Sequence, residues 1–448
     1  MRKRNALSAS RWPVTNLTVE TLEQRNLMAA DVILEWNEIM LDANAYDHSL
    51  AKPEQGGPIL TARAFAIVSA AMYDAYNSVE SIGERYLVKA PLAKTADVDA
   101  AVAQAAHDTL VALYPSQVET FDAALTTTLA RVRNGLREIQ GRVVGAYVAD
   151  VVLDARADDG ADHLGEAMYD PSGLPGSHTV DPMNPLQGYY AAGAMDMTPF
   201  AVDSLDQFEA RRLDDGTPEG RMEFMASQEY ADAFEEVVRL GGNGTTSPTE
   251  RSDEQTDIGI YWAYDGRPGL GTPPRMYNQI ATTIAVQEGN TEGENARMFA
   301  LLNIAMADAG FTAWNNKYDD AFWRPVMGVR YADLDPNPDT QVDAGWIPLG
   351  APASNPRPGE IDFTPPFPAY TSGHATFGAA VFETLARYYG RDDISFSFVS
   401  DELNGVTLGS DGQPRLVVER SFDSLTDAKL ENAQSRIYLG IHWRFDAA

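Results

Sequence analysis

The stretch Thr61–Val79, TARAFAIVSAAMYDAYNSV, decides the fold class. It is rich in alanine, the best helix former, and its larger apolar residues recur at helical spacing instead of alternating as in a strand. Working outward, the pattern returns from Asp99 to Leu113, from Val118 to about Asp154, and over Arg221–Leu240, Arg275–Val286 and Glu294–Trp314. Two further helices are predicted from about Gly373 to Tyr389 and from about Leu425 to the end. Between them lie a Gly/Pro-rich section from about Asp158 to Thr217 and a proline-rich loop from Pro325 to Tyr370. Convincing strands are few. The expected fold is mainly α: helical bundles, in two four-helix-bundle-like layers, with long Pro/Gly-rich loops. Three regions are expected: a leader over 1–30, an N-terminal bundle with loops over 31–240, and a C-terminal bundle carrying the site over 241–448.

The chain has 448 residues, 44% of them hydrophobic, enough to bury a sizeable core. No run approaches the roughly 18–20 consecutive apolar residues of a membrane span. A formal net charge of -31 argues against nucleic acid as partner, because phosphate backbones need a basic face. There is no cysteine, which excludes disulfides, thiolate nucleophiles and zinc–thiolate sites. The N-terminus is basic, lacks a long apolar segment, and ends in small residues at Ala29 and Ala30. Its LEQRNLMAAD stretch resembles a leader seen at the head of many exported bacterial proteins, so export (secreted, cell-surface or periplasmic) is expected.

Three C-terminal segments gather chemistry that an acidic chain would not scatter there by chance: KYDDAFWRP (Lys317–Pro325), TSGHATFG (Thr371–Gly378) and SRIYLGIHWRFD (Ser435–Asp446). Lys317, Arg324 and Arg436 supply fixed positive charge, Ser372 and Gly373 a hydroxyl and an approachable N–H, and His374 and His442 two imidazoles. That set suits a tetrahedral oxyanion. On a continuous helix Trp314, Lys317 and Arg324 share a face, and Pro325 then stops the helix. Ser372 reads as an N-cap, which puts His374 in a first turn whose free N–H groups bind oxyanions. Ser435, Leu439, His442 and Asp446 fall on one face of the predicted last helix, with Arg436 about 9 Å along the axis from His442. Asp446, one turn from His442, is placed to fix its tautomer.

The pattern of Lys, six residues, Arg-Pro, then Ser-Gly-His, then Ser-Arg, five residues, His, three residues, Asp resembles the signature shared by vanadium-dependent haloperoxidases and type 2 phosphatidic-acid phosphatases. WAYDGRPGLGTPPRMYNQI, FWRPVMGVR, LGAPASNP, PPFPAYTSGHATFGAAVFETLARYY and ENAQSRIYLGIHWRFDAA look most like the chloroperoxidase branch. The resemblance covers about Thr256 to Ala448, with a weaker helical match before it. It implies vanadate (vanadium +5) as cofactor, bound through His442 and held by Lys317, Arg324, Ser372, the Gly373 N–H and Arg436. It further implies His374 as acid–base group, Lys317 as the residue polarising bound peroxide, Asp265 as partner of Arg436, and Trp314 and Phe367 as the halide pocket. Hydrogen peroxide and halide would then give hypohalous acid, with chloride and bromide both candidates and a small organic compound as acceptor.

Two departures from the family pattern carry expectations. Thr371 stands where proline is usual, which leaves the backbone before Ser372 freer. The sequence ends at Ala448, which predicts a fraying helix end around His442. Two other readings stand beside the haloperoxidase: an acid phosphatase using the same oxyanion site through a phosphohistidine at His442, and a non-catalytic exported protein with a relic site. Asp335, Asn337, Asp339 and Asp343 have a calcium-loop look but lack the glycine and glutamate of an EF-hand. His48, His107, His163 and His178 lack ligand spacing and are expected to be structural or exposed.

Overall fold

The first helix follows directly from its cap: Asp31 accepts hydrogen bonds from the N–H groups of Ile33 and Leu34, opening α1 (Val32–Asp47). In a computed structural model, which describes residues 31–91, 93–165, 167–208 and 210–447, α-helix dominates; the expected leader, 1–30, lies outside the described residues. Helix α2 (Gly57–Glu80) carries Pro58 in its first turn and is buried around most of its circumference, as befits a central helix. α3 (Val98–Leu113) packs beside it.

The single helix expected from Val118 to Asp154 is two, α4 (Val118–Leu129) and α5 (Leu136–Ala155). Gly135 parts them at a φ of 152°, a backbone conformation that only glycine adopts readily. The stretch 221–240 also divides, into α6 (Pro218–Met225) and α7 (Gln228–Gly241), because Ser227 leaves the helix to cap the second by accepting from Tyr230 N–H.

α8 (Asp253–Tyr261) and α10 (Glu292–Asp320) both begin with capping boxes, Ser252 with Gln255 and Thr291 with Glu294. α9 (Pro273–Glu288) lies between them in sequence. The 29-residue α10 is the element shared by both layers: it packs on α2 on one side and on a later helix, α12, on the other. A short α11 (Pro325–Arg330) interrupts the expected proline-rich loop, since Pro325 at the first helical position starts a helix instead of ending one. α12 (Gly373–Tyr389) has the predicted bounds and closes on Gly390 in the left-handed region. An antiparallel ladder of β1 (Phe396–Val399) and β2 (Glu419–Phe422), with Phe396 opposite Phe422, precedes α13 (Leu425–Tyr438).

One apolar core runs from Trp36 and Phe65 through Phe311 to Phe382 and Leu425, so it draws on both sides of residue 240. A second cluster, including Tyr230, Trp323 and Trp443, packs where the site segments converge.

Candidate active site

The helices deliver the three segments to one place, but not by the helical faces expected. α10 ends at Asp320, where Ala321 turns to a φ of 47° and returns its N–H to Lys317 C=O. Arg324 is therefore not on the helix of Lys317; it is the N-cap of α11. Likewise α13 stops at Tyr438, and Gly440 reverses the chain at a φ of 71°. A Cβ on Gly440 would meet the Gly241 carbonyl oxygen at 2.4 Å, so close packing on the end of α7 requires glycine there. His442 thus sits in a tight turn beyond α13 and not on the face of Ser435. It is 2% exposed and Asp446 3%, so the expected fraying around His442 is not seen.

Tight packing replaces helical periodicity as the positioning device. His442 Nδ1 donates to Asp446 Oδ2 at 2.7 Å, and that carboxylate oxygen also accepts from Trp443 N–H at 2.9 Å. The ring proton is therefore on Nδ1, and Nε2 presents its lone pair, 2.9 Å from Arg324 Nη1. Asp446 C=O accepts from Ser372 N–H at 2.7 Å, tying the second segment to the third. Ser372 is fully buried and caps α12 by accepting from Ala375 N–H, so the freer backbone expected from Thr371 is restrained. A side chain at Gly373 would meet the Trp314 ring at 2.8 Å.

The cations are held by backbone carbonyls and one carboxylate. Lys317 Nζ donates to Pro368 and Ala369 C=O at 2.9 and 3.0 Å. Arg324 Nε donates to Phe367 C=O, and its Nη1 to Ile441 C=O, both at 2.8 Å. Arg436 Nη2 reaches both oxygens of Asp265 at 2.9 and 3.2 Å. Even so, Arg324 Nη2 and Arg436 Nε and Nη1 are buried without a hydrogen-bond partner. Buried unpaired guanidinium N–H groups are costly, so donors directed in this way fit an oxyanion.

Electrostatics say the same. Burial first, then the neighbouring Arg324, pushes the Lys317 ammonium well below its ordinary range. Burial lowers Arg324 to about 9 and raises Asp446 to about 7. Both His374 and His442 are pushed well down, by burial and then by the arginines. A tetrahedral anion among them would offset the mutual repulsion of Lys317, Arg324 and Arg436 and favour the charged forms of these cations.

His374 Nε2 donates to Ala263 C=O at 2.6 Å, which leaves Nδ1 as the nitrogen able to exchange a proton. Trp314 and Phe367 stand in contact, ring centroids 4.8 Å apart, and Lys317 Nζ lies 5.4 and 5.1 Å from their respective centroids. The ten residues that the family resemblance implies for cofactor, catalysis and halide thus lie together, with Asp446 beside them. The backbone carbonyls of Ala263, Pro368 and Ala369 were not foreseen, and no side-chain signal could have revealed them.

The other candidates separate cleanly. Asp335 takes its hydrogen bonds from Asn337 N–H and Thr340 hydroxyl, and among the described residues no group of three or more potential ligands can hold a metal ion. His48 is structural, accepting from Gly57 N–H, and His178 is buried against Tyr169 and Tyr189. Among the described residues no helix is long and apolar enough to cross a membrane.

The chain resembles known proteins over most of its length. A family model described as the vanadium chloroperoxidase N-terminal domain matches residues 20–186. A model of the second helical-bundle domain of that family matches 297–448. Vanadium chloroperoxidase of Curvularia inaequalis is 35% identical, the match covering 97% of this chain and 82% of that protein. Among solved structures, a bacterial vanadium-dependent iodoperoxidase superposes with a TM-score of 0.67 at 22% identity, over 95% of this chain and 92% of that one. A holo-type bacterial vanadium-dependent chloroperoxidase does so at 0.64 and 14%, over 92% and 93%. At those identities the superpositions speak to the fold alone.

Proposed function

Since this chain belongs to the vanadium haloperoxidase family, we propose that it oxidises halide, chloride as well as bromide, with hydrogen peroxide to hypohalous acid at a vanadate held by His442. The observation that carries this reading is the set of buried, unpartnered guanidinium donors of Arg324 and Arg436 beside the two histidines.

When bound, vanadate supplies a Lewis-acidic +5 centre at which peroxide becomes susceptible to halide. The chain's own residues do the rest. Asp446 keeps the His442 proton on Nδ1, so Nε2 is the atom offered to vanadium. Lys317, Arg324 and Arg436, with the Ser372 hydroxyl and Gly373 N–H, would hold the oxyanion's oxygens and withdraw electron density. Asp265 fixes the orientation of Arg436. His374 moves a proton at Nδ1, its other nitrogen being committed to Ala263. Trp314 and Phe367 offer an apolar face beside Lys317, which strips water from an incoming halide and favours chloride.

The test is halogenation of a chlorinatable dye by vanadate-loaded protein with hydrogen peroxide, in chloride and separately in bromide. The reading predicts turnover in both, abolished in His442→Ala. Turnover in bromide alone would remove the role given to Trp314 and Phe367. Silence in both halides, with hydrolysis of a phosphate monoester by vanadate-free protein, would replace the reading with the acid phosphatase. Export belongs to the same proposal; fractionation of cells expressing the full chain tests it, and retention in the cytoplasm would refute it.

A further inference from the structure

Two groups of the site take their bearings from one short segment, Ala263–Asp265. Ala263 C=O accepts the Nε2 proton of His374, and the Asp265 carboxylate holds Arg436. Between them Tyr264 is fully buried at a φ of 45°, a left-handed conformation that a bulky side chain adopts only when its surroundings impose it. Whatever holds Tyr264 there therefore sets the carbonyl on one side of it and the carboxylate on the other.

The holding is done by a single turn, Ser400–Leu403, which follows β1. Tyr264 N–H donates to Glu402 Oε1 at 3.2 Å, and Asp401 N–H donates to the Tyr264 hydroxyl at 2.8 Å. That hydroxyl donates in turn to Gln279 Oε1 on α9 at 3.0 Å. The turn is itself anchored. Ser400 Oγ donates to Tyr261 C=O at the end of α8, and the Asp401 carboxylate accepts from Arg275 and Gln279 of α9 at 2.5 and 3.0 Å.

Glu402 is fully buried, and its two oxygens have different partners. Oε2 accepts from the Ser354 hydroxyl and from Arg415 Nη1, both at 2.5 Å. Arg415 reaches it from the loop between β1 and β2. Oε1 is thereby left to the Tyr264 N–H. None of Ser354, Glu402 and Arg415 lines the cavity that opens on His374 and His442. A buried ion pair of this kind adds little stability over apolar residues of the same volume, so its use lies in fixing a geometry.

We propose that Glu402 is a positioning residue of the oxyanion site: through the Tyr264 N–H it holds the Ala263–Asp265 segment, and so orients the His374 ring and the Arg436 guanidinium together. This rests on the oxyanion site of the reading above.

The test is calorimetric titration of orthovanadate, and separately of inorganic phosphate, into the vanadate-free chain, with urea midpoints measured alongside. Glu402→Ala should weaken both anions about 10- to 100-fold. Glu402→Gln should stay within about threefold of wild type, because its amide oxygen still accepts from Tyr264 N–H. Both should lower the urea midpoint, since both remove the charge facing Arg415. A residue that merely stabilised the fold would give the pattern expected of Asp159→Ala. Asp159 is a buried carboxylate on Arg63 and Arg156, and its loss should lower the midpoint while leaving both anion affinities within about twofold. Anion affinity that is unchanged in Glu402→Ala, or that falls as far in Glu402→Gln, overturns the proposal. Should Glu402→Ala fail to fold, Tyr264→Phe decides. It removes the hydroxyl held by Asp401 and should weaken both anions about 3- to 10-fold, and wild-type affinity there overturns the proposal. Halide turnover by the wild-type protein reads the parent activity separately: if that fails while phosphate affinities follow the stated order, the haloperoxidase reading falls and the role of Glu402 stands.

Discussion

In the bundle of α2, α3 and α5 the helices meet through small residues. A Cβ on Gly141 would come within 2.5 Å of Asp97 C=O, and one on Gly145 within 2.3 Å of Ala101 C=O. Around Arg324, Lys317 and Arg436 the interior is just as dry but full of charge, held by loops that end helices at Ala321 and Gly440. The bundle obtains its stability from close apolar contact. The site gives stability up, since buried charges that face one another cost more than they return until an anion arrives. The contrast separates residues whose loss should unfold the chain from residues whose loss should silence it.

The largest effect expected is at the site. His442→Ala should cut halide turnover by at least about 10³-fold, with the circular-dichroism spectrum unchanged; turnover within tenfold of wild type would erase the distinction between the two regions. Next comes the bundle: Gly145→Val should destabilise by about 3 kcal/mol in urea denaturation, because the helices must part to admit the side chain. Its turnover at low denaturant should stay near wild type. Asp265→Asn, which removes the charge partner of Arg436, should weaken vanadate binding about 10- to 100-fold and also lower the urea midpoint, though by less than Gly145→Val, since the amide oxygen can still accept from Arg436.

The smallest effect lies at the start of α10, far from the site. There burial, then Asp99, Asp31 and Glu80, push the Glu292 carboxyl from 4.5 up to about 8. Its folded pKa is raised, so the stability it contributes is complete below about pH 4.5 and is lost as pH rises through about 8. Glu292→Gln should therefore stabilise the chain at pH 9 by about 1 kcal/mol, allowing for solvent screening, and by almost nothing near pH 4.5. Urea midpoints at the two pH values read this directly; a larger gain at the acidic pH would reverse the sign and refute it.

The same contrast explains what was legible in the sequence. Alanine-rich helical spacing marked α2 and α3 even though α2 is buried around most of its circumference, and Ser372 was readable as the cap that opens α12. Interruptions at Gly135 and Ser227 were missed because apolar residues continue across both breaks. At the site, the side chains with chemistry were readable by type, but their geometry was not. Placing Arg324 on the helix of Lys317, and His442 on that of Arg436, assumed that helical period extends through Ala321 and Gly440. Packing, chiefly the Gly241–Gly440 approach, overrides it. The carbonyls that orient Lys317 and His374 belong to the backbone, which every sequence shares.

The measurement closest to the centre of this account is calorimetric titration of micromolar orthovanadate into the purified, vanadate-free chain. The account predicts saturable binding of one vanadate per chain, displaced by phosphate and lost in His442→Ala. Absence of saturable binding by folded wild-type protein, or binding that survives His442→Ala undiminished, would contradict it.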